Sequence, residues 1–198
     1  MKNNKLTIHE VNRLTEAEFI SRFKGLFNTE LCIPVISGAA GMRPFSDARD
    51  FLNCVLSRFD RIDFTGMLDI MRDNSILGIG LDKLSGSSRT EQKNTGLHEL
   101  SAYDFSRFEA LNRAYKAKFS FNFMCVIKGL SKERILASFE KRMSNDFETE
   151  FLFTLTQIKK LVYFRLLDEI EFTDDEKERC CFKYPGEYER YIEEAHEK

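Results

Sequence analysis

Tryptophan is absent from this chain of 198 residues, and proline and histidine occur only three times each. The histidines, His9, His98 and His196, are isolated from one another and from the cysteines, so the sequence offers no clustered metal-ligand motif. A phosphate-cradling loop is missing as well, because "GIG" at 78–80 and "SGSS" at 85–88 lack the lysine and the spacing that such a loop needs. Charge of one sign is not in excess: 30 Lys and Arg against 32 Asp and Glu leave a formal net charge of -2, which gives no electrostatic footprint for nucleic acid. No apolar run is long enough to span a bilayer, and the N-terminal "MKNNKLTIHEVNRL" has no apolar signal core. The C-terminal "EEAHEK" differs from a peroxisomal Ser-Lys-Leu ending. Five cysteines, Cys32, Cys54, Cys125, Cys180 and Cys181, form no disulfide framework or redox pair by their spacing and read as reduced thiols. These absences make a cytoplasmic protein the expectation, with no metal, nucleic-acid or membrane partner.

What is present is an ordinary globular composition, 42% hydrophobic and 31% charged, with 19 phenylalanines and a length suited to one domain. Apolar residues recur at three- and four-residue spacing almost throughout, while strand-like alternation is short and scarce, which predicts an all-α fold, a single compact multi-helix bundle. A first helix is expected from a Thr15 cap completed by Glu18, with Phe19, Phe23 and Phe27 on one buried stripe. After the proline and glycines of "CIPVISGAAGMRPF", Ser46 is expected to cap a helix carrying Phe51, Leu52, Val55 and Phe59. Asp63 is expected to cap the next, with Met67, Ile70 and Met71 inward. Further helices are predicted over 88–97, 101–118, 131–144 and 146–168. Between two of these, "FSFNFMCVIKG" has weak helix signals and reads as buried irregular backbone or a short strand. The main domain is drawn at 1–172, and the charged stretch 173–198 as an extension forming a peripheral helix.

Four segments in order carry a resemblance: "RPFSD", then "SSRTEQKNTGL", then "FEALNRAYKAKFSFNFMCVIKG" with its Leu-Asn-x-x-Tyr-x-x-x-Phe-x-Phe run, then "KLVYFRLLDEI". Together they resemble the 2-oxo-4-hydroxy-4-carboxy-5-ureidoimidazoline (OHCU) decarboxylases over most of the chain. The resemblance implies a compact helical fold, commonly a homodimer, that uses no metal or organic cofactor. It further implies a small heterocyclic substrate, which loses carbon dioxide to give (S)-allantoin in urate breakdown.

Site residues carry over by position. Ser88, Glu91 and Gln92 match the family's Ser-x-x-Glu-Gln motif, and a carboxylate beside an amide suits a urea-like ring that alternates N–H donors with carbonyl acceptors. The plainer reading of Ser88 and Glu91 is a capping box. Arg165 matches the family's active arginine, a planar fork suited to the leaving carboxylate or the oxyanion that follows it. The plainer reading is an ion pair with Asp168 or Glu169 on the same helix. By resemblance Glu91 and Arg165 are the catalytic pair, and Ser88, Gln92 and the stretch Phe123, Met124, Cys125, Val126 and Ile127 bind substrate, the last through main-chain groups. Arg142 and Asn145 follow a family pattern too, although a helix end and a cap explain them equally.

Two departures stand out. Where the family writes Gly-Phe-Pro-Phe, this chain has Ser120, Phe121, Asn122 and Phe123, so a different backbone path is expected there. The family's histidine, in a His-Pro-Asp-Leu motif, has no counterpart: ungapped threading puts Met71 in its place, and a gapped one Asn74. Neither side chain titrates near neutral pH, and the isolated His98, two turns along from Glu91, is poorly placed to substitute. Three readings follow, namely a working but attenuated decarboxylase, the same fold turned to another small-molecule decarboxylation or ring-processing step, and a non-catalytic relative that binds a ligand or a protein.

Overall fold

In the computed structural model, residues 5–77, 97 and 100–180 are described. Their fold is all-α, and the chain divides into two compact units: one runs to Asp73 and resumes at Lys159, the other is Asn74–Ile158. Among the described residues the strand-like pairing is a single parallel bridge between Leu6 and Ile170.

In the first unit, α1 (Ile8–Arg13) and α2 (Glu16–Phe23) begin with the same device. Thr7 and Thr15 each accept a backbone N–H from the glutamate three residues on, at 3.3 Å, while Glu10 and Glu18 return a carboxylate to the threonine N–H at 2.8 Å. The expected start at Thr15 is thus correct, and the same Thr-x-x-Glu pattern eight residues earlier makes a further, unanticipated helix. A 3₁₀ turn, Lys24–Leu26, ends α2, so Phe27 is buried as expected but lies beyond the helix. Also unanticipated is α3 (Ile33–Ala40), where Pro34 occupies the first turn and its missing N–H costs no hydrogen bond. The cap of α4 (Ala48–Phe59) is Asp47 rather than Ser46, its Oδ1 accepting from Asp50 N at 2.7 Å. Asp63 caps α5 (Phe64–Asp73) through Gly66 N at 2.8 Å. Phe19, Phe23, Phe45 and Phe51 form one ring cluster, with centroids as close as 4.8 Å, and Phe27 stacks on Phe59.

The second unit holds α6 (Ala102–Phe119), α7 (Lys132–Arg142) and the first half of the longest helix, α8 (Phe147–Glu169). Its expected starts are as read: Ser101 accepts from Asp104 N, Ser131 from Arg134 N, and Asp146 from Thr149 N. Between α6 and α7 the chain takes neither helix nor strand, and residues 121–127 are buried apart from the half-buried Cys125. A short α9 (Asp174–Glu178), capped by Thr173, opens the C-terminal extension in the first unit. It buries none of its own residues, yet Glu176 Oε1 accepts Ala48 N at 2.8 Å, closing an open donor in the first turn of α4.

Candidate active site

Irregular backbone inside a core leaves N–H and C=O groups that no helix satisfies, so side chains must meet them. Two buried side chains do this for the segment Phe123–Ile127. Arg142 Nη1 donates to the Met124 carbonyl at 2.6 Å, and Gln157 Oε1 accepts the Val126 N–H at 3.0 Å. Arg142, the last residue of α7, is itself held by Glu150, whose Oε1 accepts from its Nε at 2.9 Å and its Nη2 at 2.5 Å. Thr154 Oγ1 also accepts from Nη2, and Asn145 Nδ2 donates to the second Glu150 oxygen at 2.7 Å. The guanidinium is sandwiched between the rings of Phe123, at 4.3 Å, and Phe153, at 4.5 Å.

Tyr115 completes the group, its hydroxyl donating to Glu150. Burial pushes this phenol above its ordinary range; the Arg142 charge opposes that shift and the Glu150 carboxylate adds to it, so Tyr115 serves as a donor that does not ionise at neutral pH. Of these residues Arg142, Asn145 and, within the Leu-Asn-x-x-Tyr run, Tyr115 were legible in the sequence, and the helix-end reading of Arg142 is true of its backbone alone. Glu150, Thr154 and Gln157 were missed, although they fall at i, i+4 and i+7 on one face of α8, a polar stripe between apolar neighbours.

The two departures from the family pattern also have structural readings. Ser120 stands in the left-handed region, φ 63°, as the C-cap of α6, where glycine carries no Cβ penalty. Asn122 is buried, and its Nδ2 donates to the carbonyl of Asn74 at 2.8 Å. Asn112 Nδ2 reaches the Leu77 carbonyl at 3.1 Å, so both ends of the stretch 74–77 are tied to side chains of this unit.

In the first unit, Arg165 is 6% exposed on α8 and its Nη1 donates to the Gly25 carbonyl at 3.0 Å. Glu169, one of the two same-helix partners considered for it, pairs with Arg22 at 2.6 Å. Met71 is fully buried on the apolar stripe of α5, beside Met67 and Ile70 in sequence spacing. Asp73, which the ungapped threading sets at the family's aspartate, accepts from Thr29 Oγ1 at 2.5 Å. Ser88, Glu91, Gln92 and His98 lie outside the described residues. Among the described residues no group of three or more His, Cys, Asp or Glu is arranged to hold a metal ion, and no helix is long and apolar enough to cross a membrane.

The family profile for OHCU decarboxylase matches residues 12–167. The chain belongs to the OHCU decarboxylase family. The 2-oxo-4-hydroxy-4-carboxy-5-ureidoimidazoline decarboxylase of Amia calva is 30% identical over 169 residues, covering 84% of this chain and 95% of that protein. The enzyme of the same name from Haloferax volcanii is 26% identical, covering 83% and 96%. A uric acid degradation bifunctional protein from a Bacillus species is 29% identical over 81% of this chain, which spans about a third (32%) of its length. Among solved structures, that of (S)-allantoin synthase superposes with a TM-score of 0.66 at 18% identity, covering 85% of this chain and 56% of that one. An OHCU decarboxylase crystallised with (S)-allantoin gives a TM-score of 0.56 at 18% identity, covering 67% and 87%. The superpositions establish the fold of this family member, and the profile and the relatives establish the family.

Proposed function

We propose that this protein is a carboxy-lyase that converts the ureidoimidazoline to (S)-allantoin in urate breakdown, at a rate reduced by the absence of the family histidine. The observation that carries the reading is the family match over residues 12–167, which takes in Arg165 and the buried irregular segment Phe123–Ile127. In the reaction the bond from ring carbon to carboxylate breaks, its electron pair passes into the ring, carbon dioxide leaves, and a proton added on one face sets the S centre. Arg165 and Glu91 are assigned the catalytic roles, with Arg165 binding the carboxylate or stabilising the charge that replaces it. Ser88, Gln92 and the main chain of 123–127 are assigned to the ring. Met71 belongs to an apolar stripe, whereas Asn74 is a buried polar residue whose main-chain carbonyl accepts from Asn122, which favours Asn74 as the position left by the histidine. An amide orients a group without titrating, so the loss of acid-base help is worth on the order of a hundred- to ten-thousandfold in rate. A cytoplasmic homodimer belongs to the same proposal.

The test is turnover of substrate generated in situ from urate, followed by circular dichroism as (S)-allantoin forms. Slow turnover by the parent, abolished by Glu91→Ala or Arg165→Ala and raised by Asn74→His, is the expected result. Undiminished activity in both alanine variants sinks the site assignment. An inert parent sinks the decarboxylase reading and leaves the fold turned to another small heterocycle or to binding alone.

A further inference from the structure

We propose that Gln157 and Arg142 are positioning residues for the main chain at 124–126, setting the direction in which this segment presents its remaining peptide groups to a bound ring. That the segment binds the ring rests on the decarboxylase reading; that these two side chains set its path does not. The segment is built from residues that have no periodic hydrogen bonding of their own, and the two clamps are two residues apart, one on a carbonyl and one on an N–H. Both clamps are themselves rigid. Gln157 is 4% exposed on a helix, and Arg142 is fixed by Glu150, Thr154 and two aromatic rings.

The composition of the clamp points the same way. Burying an ion pair gives little net stability compared with apolar residues of similar volume, because desolvation cancels most of the attraction. What such a pair does supply is a fixed direction, since a guanidinium held by four acceptor contacts and two rings has one orientation left. Gln157 is neutral and removing its acceptor oxygen strands only one N–H, so it is the member that can be altered while the core survives. Cys125 lies between the two clamped residues, half-buried where its neighbours are buried, and its thiol donates to the Val126 carbonyl at 3.7 Å, so its reactivity gives a chemical readout of the backbone path.

The experiment compares Gln157→Met, equal in length and without an acceptor oxygen, with Gln157→Glu, which retains one. Three quantities are read on the full chain: kcat and KM with the ureidoimidazoline, thermal midpoint, and the rate of iodoacetamide labelling at Cys125 with Cys54 as internal reference. Expected for Gln157→Met is a KM raised about tenfold with a smaller change in kcat. Cys125 labelling should change at least about threefold relative to Cys54, since one stranded N–H shifts a local equilibrium by that order. Gln157→Glu should return KM to within about threefold of the parent. A lower thermal midpoint with unaltered KM and unaltered Cys125 labelling overturns the proposal. If the parent does not turn over the substrate, the decarboxylase reading falls, and the Cys125 rates still decide whether Gln157 sets the segment's path.

Discussion

The two units solve the core problem differently. In the first, rings meet rings, and Phe19, Phe23 and Phe51 stand on helices whose polar groups are already paired, while Phe45 lies on irregular backbone whose N–H and carbonyl are both met by the Asn12 side-chain amide at 2.8 Å. In the second, the rings of Phe123 and Phe153 close on a charge, and beside them runs backbone that has no helix to pair it. Regular backbone permits an apolar core. Irregular backbone demands polar side chains inside it, and a cation among aromatic faces needs a buried anion. The Arg142–Glu150 group therefore belongs with the segment 123–127 as cause with consequence.

The largest expected effect tests that link. Glu150→Ala strands a buried guanidinium and should cost about 3–5 kcal/mol in urea unfolding followed by circular dichroism. Replacing both partners, Arg142→Met with Glu150→Leu, should recover only part of that loss, because an apolar pair avoids the desolvation of charge but leaves the Met124 carbonyl, the Tyr115 hydroxyl and the Asn145 amide without these partners. Phe51→Ala in the first unit should cost a similar amount, about 3–5 kcal/mol, through a cavity that no change of charge repairs. If the double variant regains the whole loss, the irregular backbone does not need the Arg142 side chain and the contrast between the units fails.

Titration gives the next effect. Burial, with the Asp73 carboxylate beside it, pushes the Cys32 thiol from its ordinary 9.0 up to about 12. Between those values the unfolded chain gives up this proton while the folded chain keeps it, so stability is intact below about pH 9 and falls as pH rises towards 12. Tyr115 in the second unit, also raised, adds to the same alkaline loss from its own ordinary value upward. The thermal midpoint should drop across pH 9–11, and Cys32→Ala should flatten that slope without removing it. An unchanged slope would assign the whole alkaline loss to the second unit and to surface lysines.

Sequence patterns gave the described helix starts of the second unit, only part of the first unit's architecture, and little of the second unit's site. Helix starts at Thr15, Asp63, Ser101 and Ser131 are local hydrogen-bond patterns, legible within four residues. The Thr7 start obeys the same rule and was legible but not read, and Pro34 was read as a break when it is a first-turn residue. The cap of α4 was misplaced by one residue because Ser46 and Asp47 are both good caps, and the backbone chooses between them. Arg142 with Glu150 is another kind of fact. Eight residues across a helix end have no fixed geometry, so only tertiary folding joins them. Arg165 was legible as a buried cation in an apolar helix, but its Gly25 partner, 140 residues away, was not.

The smallest effect concerns the joint between regular and irregular backbone. Ser120 holds φ 63° at the end of α6, and a residue with a Cβ loses about 1–2 kcal/mol in that region relative to glycine. Glycine would remove this strain while giving the unfolded chain more freedom, so Ser120→Gly should stabilise by about 0.5–1 kcal/mol, raising the thermal midpoint by roughly 2–4 °C. The family pattern has glycine at this position, so the serine costs this chain stability unless its hydroxyl contributes elsewhere. A gain in midpoint with unchanged KM would make the serine a tolerated strain at a helix end. Loss of midpoint, or a KM that moves with it, would mean that the hydroxyl is a third fixture of the segment, and that its path begins at 120 rather than at the Arg142 and Gln157 clamps.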